Sequence, residues 1–260
     1  MPNQAVPVTI LSERAVPNGR RLSLAVHVAG ARVPAALLLP PASAALAPAA
    51  LLLHGYSASK DLMLESAGRA LLRRGVASLA IDLPMHGERD EPVDESLFRN
   101  PLGLVRHWQS ALEECRLALR YLDERPEIDG ARLSLVGYSL GAYLGAIVAA
   151  REPNVRALVL AAGGDLPTGI PFAAMIRTVV DPLRAVRKLA GRPLLMVNGR
   201  TDRTIRPDQA ERLFAAANEP KELRWYDGGH YIPPAVIEGA MDWLAGRLRG
   251  GEAAAVSGGR

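Results

Sequence analysis

The chain has 260 residues, of which 49% are hydrophobic and 22% charged, so it is long enough and apolar enough to bury a large core. Its formal net charge is only +4, and the charged residues are scattered, which favours a solvated surface over a nucleic-acid partner. The single cysteine, Cys115, excludes an internal disulfide framework. Cys115 falls on the apolar stripe of a predicted helix over residues 104–122, so we expect it to be a small core side chain.

Residues 1–10 lack a basic segment followed by an apolar core, so they do not resemble a secretory signal. The longest uncharged stretch, residues 33–53, has the length of a bilayer span but contains four prolines. Prolines at these positions favour two strands joined by a loop. We therefore expect a soluble cytoplasmic protein without a membrane span.

The first forty residues predict antiparallel strands over residues 6–16, 21–28 and 32–40, with a turn at Pro17-Asn18-Gly19. From residue 49 onward, short apolar runs alternate with longer amphipathic segments. We interpret the apolar runs as strands over residues 49–56, 76–84, 132–139, 155–164, 192–200 and 222–229. The segments between them predict helices near residues 60–73, 101–125, 140–151, 172–190, 207–218 and 234–249.

This alternation predicts one α/β domain over residues 1–249, with a mostly parallel sheet covered by helices on both faces. We interpret residues 164–190 as a minimal lid, because their part over residues 166–180 is apolar and contains Pro167 and Pro171. We expect the tail, residues 250–260, to be disordered. Ligands bind at the carboxyl ends of the strands in such sheets, so the residues after each strand are the candidates for chemistry.

The pentapeptide at residues 137–141, GYSLG, fits the pattern Gly-x-Ser-x-Gly and lies between a predicted strand and a predicted helix. A strained turn of this kind lifts the serine hydroxyl clear of the backbone, and its glycines avoid the clashes that a Cβ would cause. We therefore predict that Ser139 is a nucleophile rather than a passive turn residue.

A serine hydroxyl needs a base, usually a histidine that a carboxylate orients. Of five histidines, only His230 follows the last strand, in the sequence DGGHY, where two glycines let the loop turn back over the sheet edge. Asp202 follows the preceding strand and is the favoured partner of His230. Asp165 follows the strand before that and remains the alternative.

Acyl transfer also needs hydrogen-bond donors for the oxyanion of the tetrahedral intermediate. We predict that the backbone N–H of Leu140, at the start of a helix, is the first donor. The second predicted donor is the backbone N–H of Tyr56, in the loop after the strand over residues 49–56. We interpret His54 as a structural residue that holds this loop.

The predicted substrate-binding residues are large apolar or aromatic side chains near strand ends or on the lid-like segment. They are Met85, Tyr138, Phe172, Met175, Ile176, Ile205 and Tyr231, of which Phe172, Met175 and Ile176 suit a position in the core equally well. A largely apolar site suits an ester with a small or medium acyl group. We expect no metal and no cofactor.

The order Ser139, Asp202, His230, together with His54-Gly55 and the motif DLPMHG at residues 82–87, resembles the α/β-hydrolase superfamily over residues 33–249. The extended N-terminal strands look most like its esterase and peptidase-related branch, which includes dienelactone-hydrolase-like proteins. Where many members have a glycine, this chain has Met85, which should narrow or line the pocket. The resemblance implies a mostly parallel eight-stranded sheet and a Ser-His-Asp hydrolase site.

The sequence therefore predicts a metal-independent serine hydrolase, a carboxylesterase that forms an acyl-enzyme intermediate on a small-molecule ester. A peptidase, thioesterase or lactonase would use the same triad, and an acyltransferase would replace water by another nucleophile. A non-catalytic small-molecule receptor is a further alternative, which a missing triad member would favour. We expect a monomer or homodimer.

Overall fold

The computed structural model describes residues 5–90, 100–167, 173–189 and 191–249. In this part of the chain, nine strands form one sheet in the order β1-β2-β3-β5-β4-β6-β7-β8-β9. The strands are β1 Val8–Val16, β2 Gly19–Val28, β3 Ala31–Leu39, β4 Ala47–Leu53, β5 Ala77–Ile81, β6 Ile128–Tyr138, β7 Val155–Ala161, β8 Leu194–Gly199 and β9 Lys221–Tyr226. The predicted tail, residues 250–260, and Phe172 lie outside the described residues.

The sheet joins an antiparallel edge to a parallel centre. Strands β1, β2, β3 and β5 pair antiparallel, whereas β5, β4, β6, β7, β8 and β9 pair parallel. The parallel strands β4, β5 and β8 are almost entirely buried because helices cover both faces, which explains their near-continuous apolar runs. The α/β-hydrolase fold predicted from the sequence is confirmed.

The sheet has one strand more than the eight that the resemblance implied. The additional edge strand is β1, which pairs along its length with β2 through a turn in which Asn18 has a φ of 67°. Most side chains of β1 are exposed. This strand therefore extends the sheet by backbone pairing rather than by burying apolar surface.

The helices lie close to their predicted positions, with two differences. The predicted helix near residues 60–73 contains a π-helical turn, and the predicted helix over 172–190 is two helices, because Asp181 caps a new one at Pro182. The helical elements are α1 Lys60–Met63, the π-turn Leu64–Gly68, α2 Arg69–Leu72, α3 Pro101–Asp123, α4 Leu140–Arg151, α5 Ala173–Val179, α6 Pro182–Arg187, α7 Pro207–Ala216 and α8 Pro234–Arg249.

Two helical layers cover the sheet. Helices α3, α4, α6 and α7 pack with one face, and α1, the π-turn, α2 and α8 pack with the other. Cys115 is fully buried in the first layer, as predicted, and burial raises the pKa of its thiol. None of the helices in the described ranges combines the length and hydropathy needed to cross a bilayer.

The described part of the predicted lid packs on this first layer. Helix α5 contacts α3, and α6 contacts α4 and α7. Residues 168–172, which include Pro171 and Phe172, lie outside the described residues, because the structure describes the segment up to Pro167 and again from Ala173. The lid-like role of residues 164–190 stays a prediction.

Candidate active site

Ser139 lies at a sharp turn between β6, which ends at Tyr138, and α4, which begins at Leu140. Its φ of 51° and ψ of −108° place it in a region that residues with a side chain seldom adopt. The neighbouring glycines are required by close packing. A Cβ at position 137 would lie 2.2 Å from the carbonyl oxygen of Gly141, and one at position 141 would lie 2.1 Å from that of Leu53. The sequence pattern at residues 137–141 thus forms the strained strand-to-helix turn that it predicted.

Ser139, His230 and Asp202 lie in one chain of hydrogen bonds. The Oγ of Ser139 is 2.9 Å from Nε2 of His230, and Nδ1 of His230 is 2.8 Å from Oδ2 of Asp202. A carboxylate only accepts, so the proton of the ring lies on Nδ1 and Nε2 faces the serine hydroxyl as an acceptor. The fold therefore brings the three residues together from the ends of β6, β8 and β9.

The buried carboxylate of Asp202 is fixed by its own loop. Its Oδ1 accepts the backbone N–H groups of Thr204, at 2.8 Å, and Ile205, at 3.0 Å. Asp165, the alternative partner for the histidine, lies in another network. Its carboxylate binds Arg177 at 3.0 Å and Arg212 at 3.3 Å, on the side of the sheet covered by α7.

Two tyrosine hydroxyls hold the loop that carries His230. Tyr138 donates to the carbonyl oxygen of His230 at 2.9 Å, and Tyr226, the last residue of β9, donates to that of Gly229 at 2.7 Å. Burial raises the pKa of both phenols, so the hydroxyls remain protonated donors at neutral pH. The sequence analysis missed Tyr226, because a tyrosine at the end of a strand looks like any other aromatic strand residue.

The segments of the predicted oxyanion donors border the serine. Leu140 is the first residue of α4, so its N–H has no acceptor within the helix. Tyr56 follows β4 and Gly55, and a Cβ at position 55 would lie 2.8 Å from the Tyr138 ring and 3.4 Å from the Ser139 Cβ. The loop after β4 therefore passes close against the turn that carries the serine.

His54 holds this loop, as expected from the sequence. The imidazole is fully buried, its Nε2 accepts the N–H of Leu83 at 3.0 Å, and its Nδ1 lies 2.7 Å from the carbonyl oxygen of Gly55. Burial lowers the pKa of His54 to about 4. The ring is therefore neutral at pH 7, with its proton on Nδ1, and links the loop after β4 to the loop after β5.

A buried ion pair supports the loop after β5. The carboxylate of Asp82 binds the ammonium group of Lys60 at 2.9 Å and accepts the N–H of Glu88 at 2.9 Å. Burial by itself lowers the pKa of Lys60, but the hydrogen bonds and charges of Asp82, Asp61 and Glu88 together outweigh burial, so the pKa is raised. Gly87 has a φ of 60°, and a Cβ there would collide with this carboxylate. Asp82 and Gly87 of the motif DLPMHG thus fix the conformation of the loop that contains Met85.

A cavity of about 510 Å³ opens beside Ser139 and His230. Its floor is the face of the sheet, and its walls are the segment from α1 through the π-turn on one side and α8 on the other. Tyr138 and Tyr231, both predicted to bind substrate, line it together with Tyr56. The remaining lining residues are Ser57, Ala58, Leu62, Met63, Ser66, Ala67, Val136, Val159, Ala161, Val197, Thr204, Ile232, Val236, Ile237, Ala240 and Met241.

A second cavity, of about 60 Å³, lies beside Leu140. Met85 lines it, with a φ of 65° at the position where glycine is common in the superfamily. The methionine side chain occupies space that a glycine would leave open. The other lining residues are Tyr56, Leu83, Pro84, His86, Leu104, His107, Trp108, Ala111 and Leu144.

Three predicted substrate-binding residues line neither of these cavities. Ile205 is buried within the loop that carries Asp202, and Met175 and Ile176 lie on α5, where Ile176 packs against the core. Conversely, the sequence analysis missed the α8 wall, because its apolar residues follow the same helical pattern as core residues. In the described ranges, no group of three or more His, Cys, Asp or Glu side chains is arranged to hold a metal ion.

The mostly parallel sheet, with a serine on its strained strand-to-helix turn, defines an α/β-hydrolase. Within this fold, the chain matches one particular family of enzymes. Residues 47–236 match the family described as "Serine hydrolase (FSH1)", so the chain belongs to this serine hydrolase family.

The chain is also similar to individual proteins of this fold. The chain is 26% identical over 230 residues to the esterase YjfP of Escherichia coli, covering 77% of this chain and 89% of the relative. It is 31% identical over 116 residues to the polyketide transferase ATR5 of Stachybotrys chlorohalonatus, covering 44% of this chain and only 36% of the relative. Acetyl xylan esterase 1 from Thermoanaerobacterium sp. superposes with a TM-score of 0.76 at 18% identity, covering 95% of this chain and 90% of that one, which shows the shared fold.

Proposed function

We propose that this serine hydrolase is a carboxylesterase that cleaves esters with small to medium acyl groups, using Ser139, His230 and Asp202 as its triad. The observation that carries the proposal is the continuous chain of hydrogen bonds, 2.9 Å from serine to imidazole and 2.8 Å from imidazole to carboxylate. A similarity to esterases over most of the chain supports ester hydrolysis.

In the first half of the reaction, Ser139 Oγ attacks the ester carbonyl carbon while Nε2 of His230 takes the hydroxyl proton. The carbonyl oxygen becomes an oxyanion, which the N–H groups of Leu140 and Tyr56 stabilise. The C–O bond to the alcohol then breaks, and His230 gives its proton to the leaving oxygen. Asp202 holds the imidazole and stabilises its cationic form.

In the second half, a water molecule attacks the acyl-enzyme and His230 takes its proton. The tetrahedral intermediate collapses, the bond to Ser139 Oγ breaks, and His230 returns the proton to the serine. The products are the carboxylic acid and a free enzyme. The same residues would serve a thioester, a lactone or a peptide bond.

Acyl transfer is a second candidate function, favoured by the similarity to a polyketide transferase over 116 residues. An alcohol would then take the place of water in the second half of the reaction. Turnover of an ester in the presence of added alcohols separates the two functions. A hydrolase yields mostly the free acid, whereas a transferase yields mostly the new ester.

The replacement Ser139→Ala tests the proposal with p-nitrophenyl acetate as substrate. We expect kcat/KM to fall by about 10⁴-fold or more, because the nucleophile is lost while the fold remains. The matched control is Ser43→Ala, in the exposed loop between β3 and β4, which should keep full activity. Undiminished turnover by folded Ser139→Ala would contradict the assignment of the nucleophile.

A further inference from the structure

The two cavities near the serine are bordered by helices of opposite faces of the sheet. The large cavity is bordered by α8 and the π-turn, which pack with one face of the sheet. The small cavity is bordered by α3 and α4, which pack with the other face. Tyr56 lines both, so its side chain stands between them. An ester has two substituents, and the site offers each of them a separate space.

The lining of the large cavity suits an apolar chain. Its floor is formed by neighbouring strands, where Val136 pairs with Val159 and Ala161 with Val197. The polar groups among its described lining residues are hydroxyls and the histidine, with no carboxylate, ammonium or guanidinium group. Along α8 the lining runs from Val236 to Met241, about 7.5 Å at ~1.5 Å per helical residue.

The mouth of this cavity is also apolar. Tyr56, Leu62 and Tyr231 line it and are 50%, 57% and 77% exposed, which is unusual for side chains of this size. Exposed apolar groups around an opening favour the entry of an apolar ligand. The small cavity, in contrast, has about one eighth of the volume of the large one, about 60 against about 510 Å³.

The triad geometry assigns the two substituents. The leaving oxygen must reach Nε2 of His230 to receive its proton, so the alcohol lies on the histidine side of Ser139. His230 lines the large cavity and is absent from the described lining of the small one. Leu140, whose N–H is proposed to bind the carbonyl oxygen, lines the small cavity and not the large one.

We propose that the large cavity binds the alcohol part of the substrate and the small cavity its acyl part. The substrate class is then esters of short acids, such as acetate, with long apolar alcohols. This inference rests on the proposed esterase function and goes beyond it, because the triad alone does not tell the two ends of an ester apart. Met85 limits the acyl side, and Ala240 is one of the small residues that leave room on the alcohol side.

Two isomeric esters test the orientation on the unmodified enzyme. Octyl acetate and methyl nonanoate have the same atoms and differ only in the side of the ester that carries the long chain. We expect kcat/KM for octyl acetate to exceed that for methyl nonanoate by about tenfold or more, because only its chain fits the larger apolar space. The acids released are quantified by chromatography, with p-nitrophenyl acetate as reference substrate.

The outcomes separate this inference from the proposed function. Equal or faster cleavage of methyl nonanoate overturns the orientation, and so does cleavage of octyl acetate no faster than that of ethyl acetate. In both cases, hydrolysis of p-nitrophenyl acetate leaves the esterase function standing. If p-nitrophenyl acetate is also inert with folded protein, the proposed function fails and the orientation with it.

A pair of alanine replacements on α8 tests the large cavity itself. Ala240→Phe fills it, and we expect KM for octyl acetate to rise by about tenfold relative to that for ethyl acetate. Ala235→Phe, on the exposed face of the same helix, should leave both values unchanged. Because Ala240 is buried and phenylalanine risks overpacking, Ala240→Leu and a thermal unfolding curve accompany it. An unchanged KM ratio in a folded Ala240 variant contradicts the inference.

Widening the small cavity tests the acyl side. Met85→Gly removes the side chain and suits the φ of 65°, so the loop should keep its conformation. We expect the ratio of kcat/KM for p-nitrophenyl butanoate to that for p-nitrophenyl acetate to rise severalfold. A fall in this ratio, or no change, contradicts the placement of the acyl group beside Met85.

Discussion

Two residues at the site, Ser139 and Met85, adopt a positive φ without being glycine. A conformation of this kind costs about 1–3 kcal/mol and persists only where the surrounding structure enforces it. For Ser139, the enforcing contacts are its N–H bond to the carbonyl oxygen of Ala161, at 2.9 Å, and the packing of α4 against Leu53. The backbone strain at this site therefore lies at the proposed nucleophile, Ser139, and at a residue proposed to contact the acyl group, Met85.

The hydroxyls of Tyr138 and Tyr226 should hold the imidazole of His230 in position. Because each donates to a carbonyl of the His230 loop, Tyr226→Phe and Tyr138→Phe should let the imidazole depart from the serine. We expect kcat to fall by about tenfold for each variant, the equivalent of one hydrogen bond. Tyr226 does not line the described cavities, so KM for p-nitrophenyl acetate should stay constant in Tyr226→Phe.

The control for this prediction is Tyr121→Phe. Tyr121 lies on α3, where its hydroxyl accepts a bond from Arg125, away from the triad. Steady-state kinetics and the pH dependence of kcat are measured for all three variants. A rise in KM without a fall in kcat for Tyr226→Phe would show that the hydroxyl affects binding rather than the position of the base.

At the scale of elements, α4 can begin directly after the serine only because glycines let it approach the sheet. Gly141 sits in the first turn of α4, against the end of β4, with no room for a methyl group. The N-terminal end of α4 thereby lies directly beside Ser139, where its dipole favours negative charge. Packing between α4 and β4 thus sets the position of Leu140.

Gly141→Ala should therefore destabilise the protein. The added Cβ would lie 2.1 Å from the carbonyl oxygen of Leu53, which is backbone and cannot rotate away. We expect the free energy of unfolding in urea to fall by about 1–3 kcal/mol, and kcat to fall with it. Gly246→Ala is the matched control, because no atom lies within 4 Å of a Cβ there on α8.

The control should change stability in the opposite direction. Alanine is favoured over glycine inside a helix by about 0.5–1 kcal/mol, so Gly246→Ala should unfold at a slightly higher urea concentration. Full stability and activity of Gly141→Ala would show that α4 can move from β4 without consequence. The strand-to-helix turn at Ser139 would then not depend on this contact.

At the scale of the whole molecule, the buried neutral His54 makes folding depend on pH. Its pKa is about 4 in the folded protein, against 6.5 in the unfolded chain. Between these values the unfolded chain binds more protons, so stability falls as the pH falls from 6.5 towards 4. The loss from this group between pH 8 and pH 5 is about 2 kcal/mol.

Urea unfolding at pH 8 and pH 5 checks this prediction. His54→Gln removes the titrating group, so the difference in unfolding free energy between the two pH values should shrink by about 2 kcal/mol. His27→Gln, at an exposed position of β2, should retain the full difference. An equal pH dependence in wild type and His54→Gln would mean that the imidazole is not held neutral by burial.

The sequence alone determined the class of the fold and pointed to Ser139 as the proposed nucleophile. Periodicity placed the strands and the long helices, since buried parallel strands must be continuously apolar and amphipathic helices must repeat every three or four residues. The need for glycines at positions 137 and 141 could also be predicted, because a turn this sharp leaves no room for a Cβ on either side of Ser139. The position of His230 after the last strand followed from the rule that site residues collect at the carboxyl ends of strands.

Only the tertiary structure decided the rest. Asp202 and Asp165 both follow strands, and the fold alone puts the first against His230 and the second against two arginines. The π-turn, the role of Tyr226 and the cavity wall on α8 leave no local signal, because an apolar helical residue reads the same whether it meets a core or a cavity. For Met175 and Ile176 the opposite holds. As large apolar side chains near a strand end they were predicted to bind substrate, but on α5 they line neither cavity. Contacts across the chain depend on how layers pack, and local sequence patterns do not encode them.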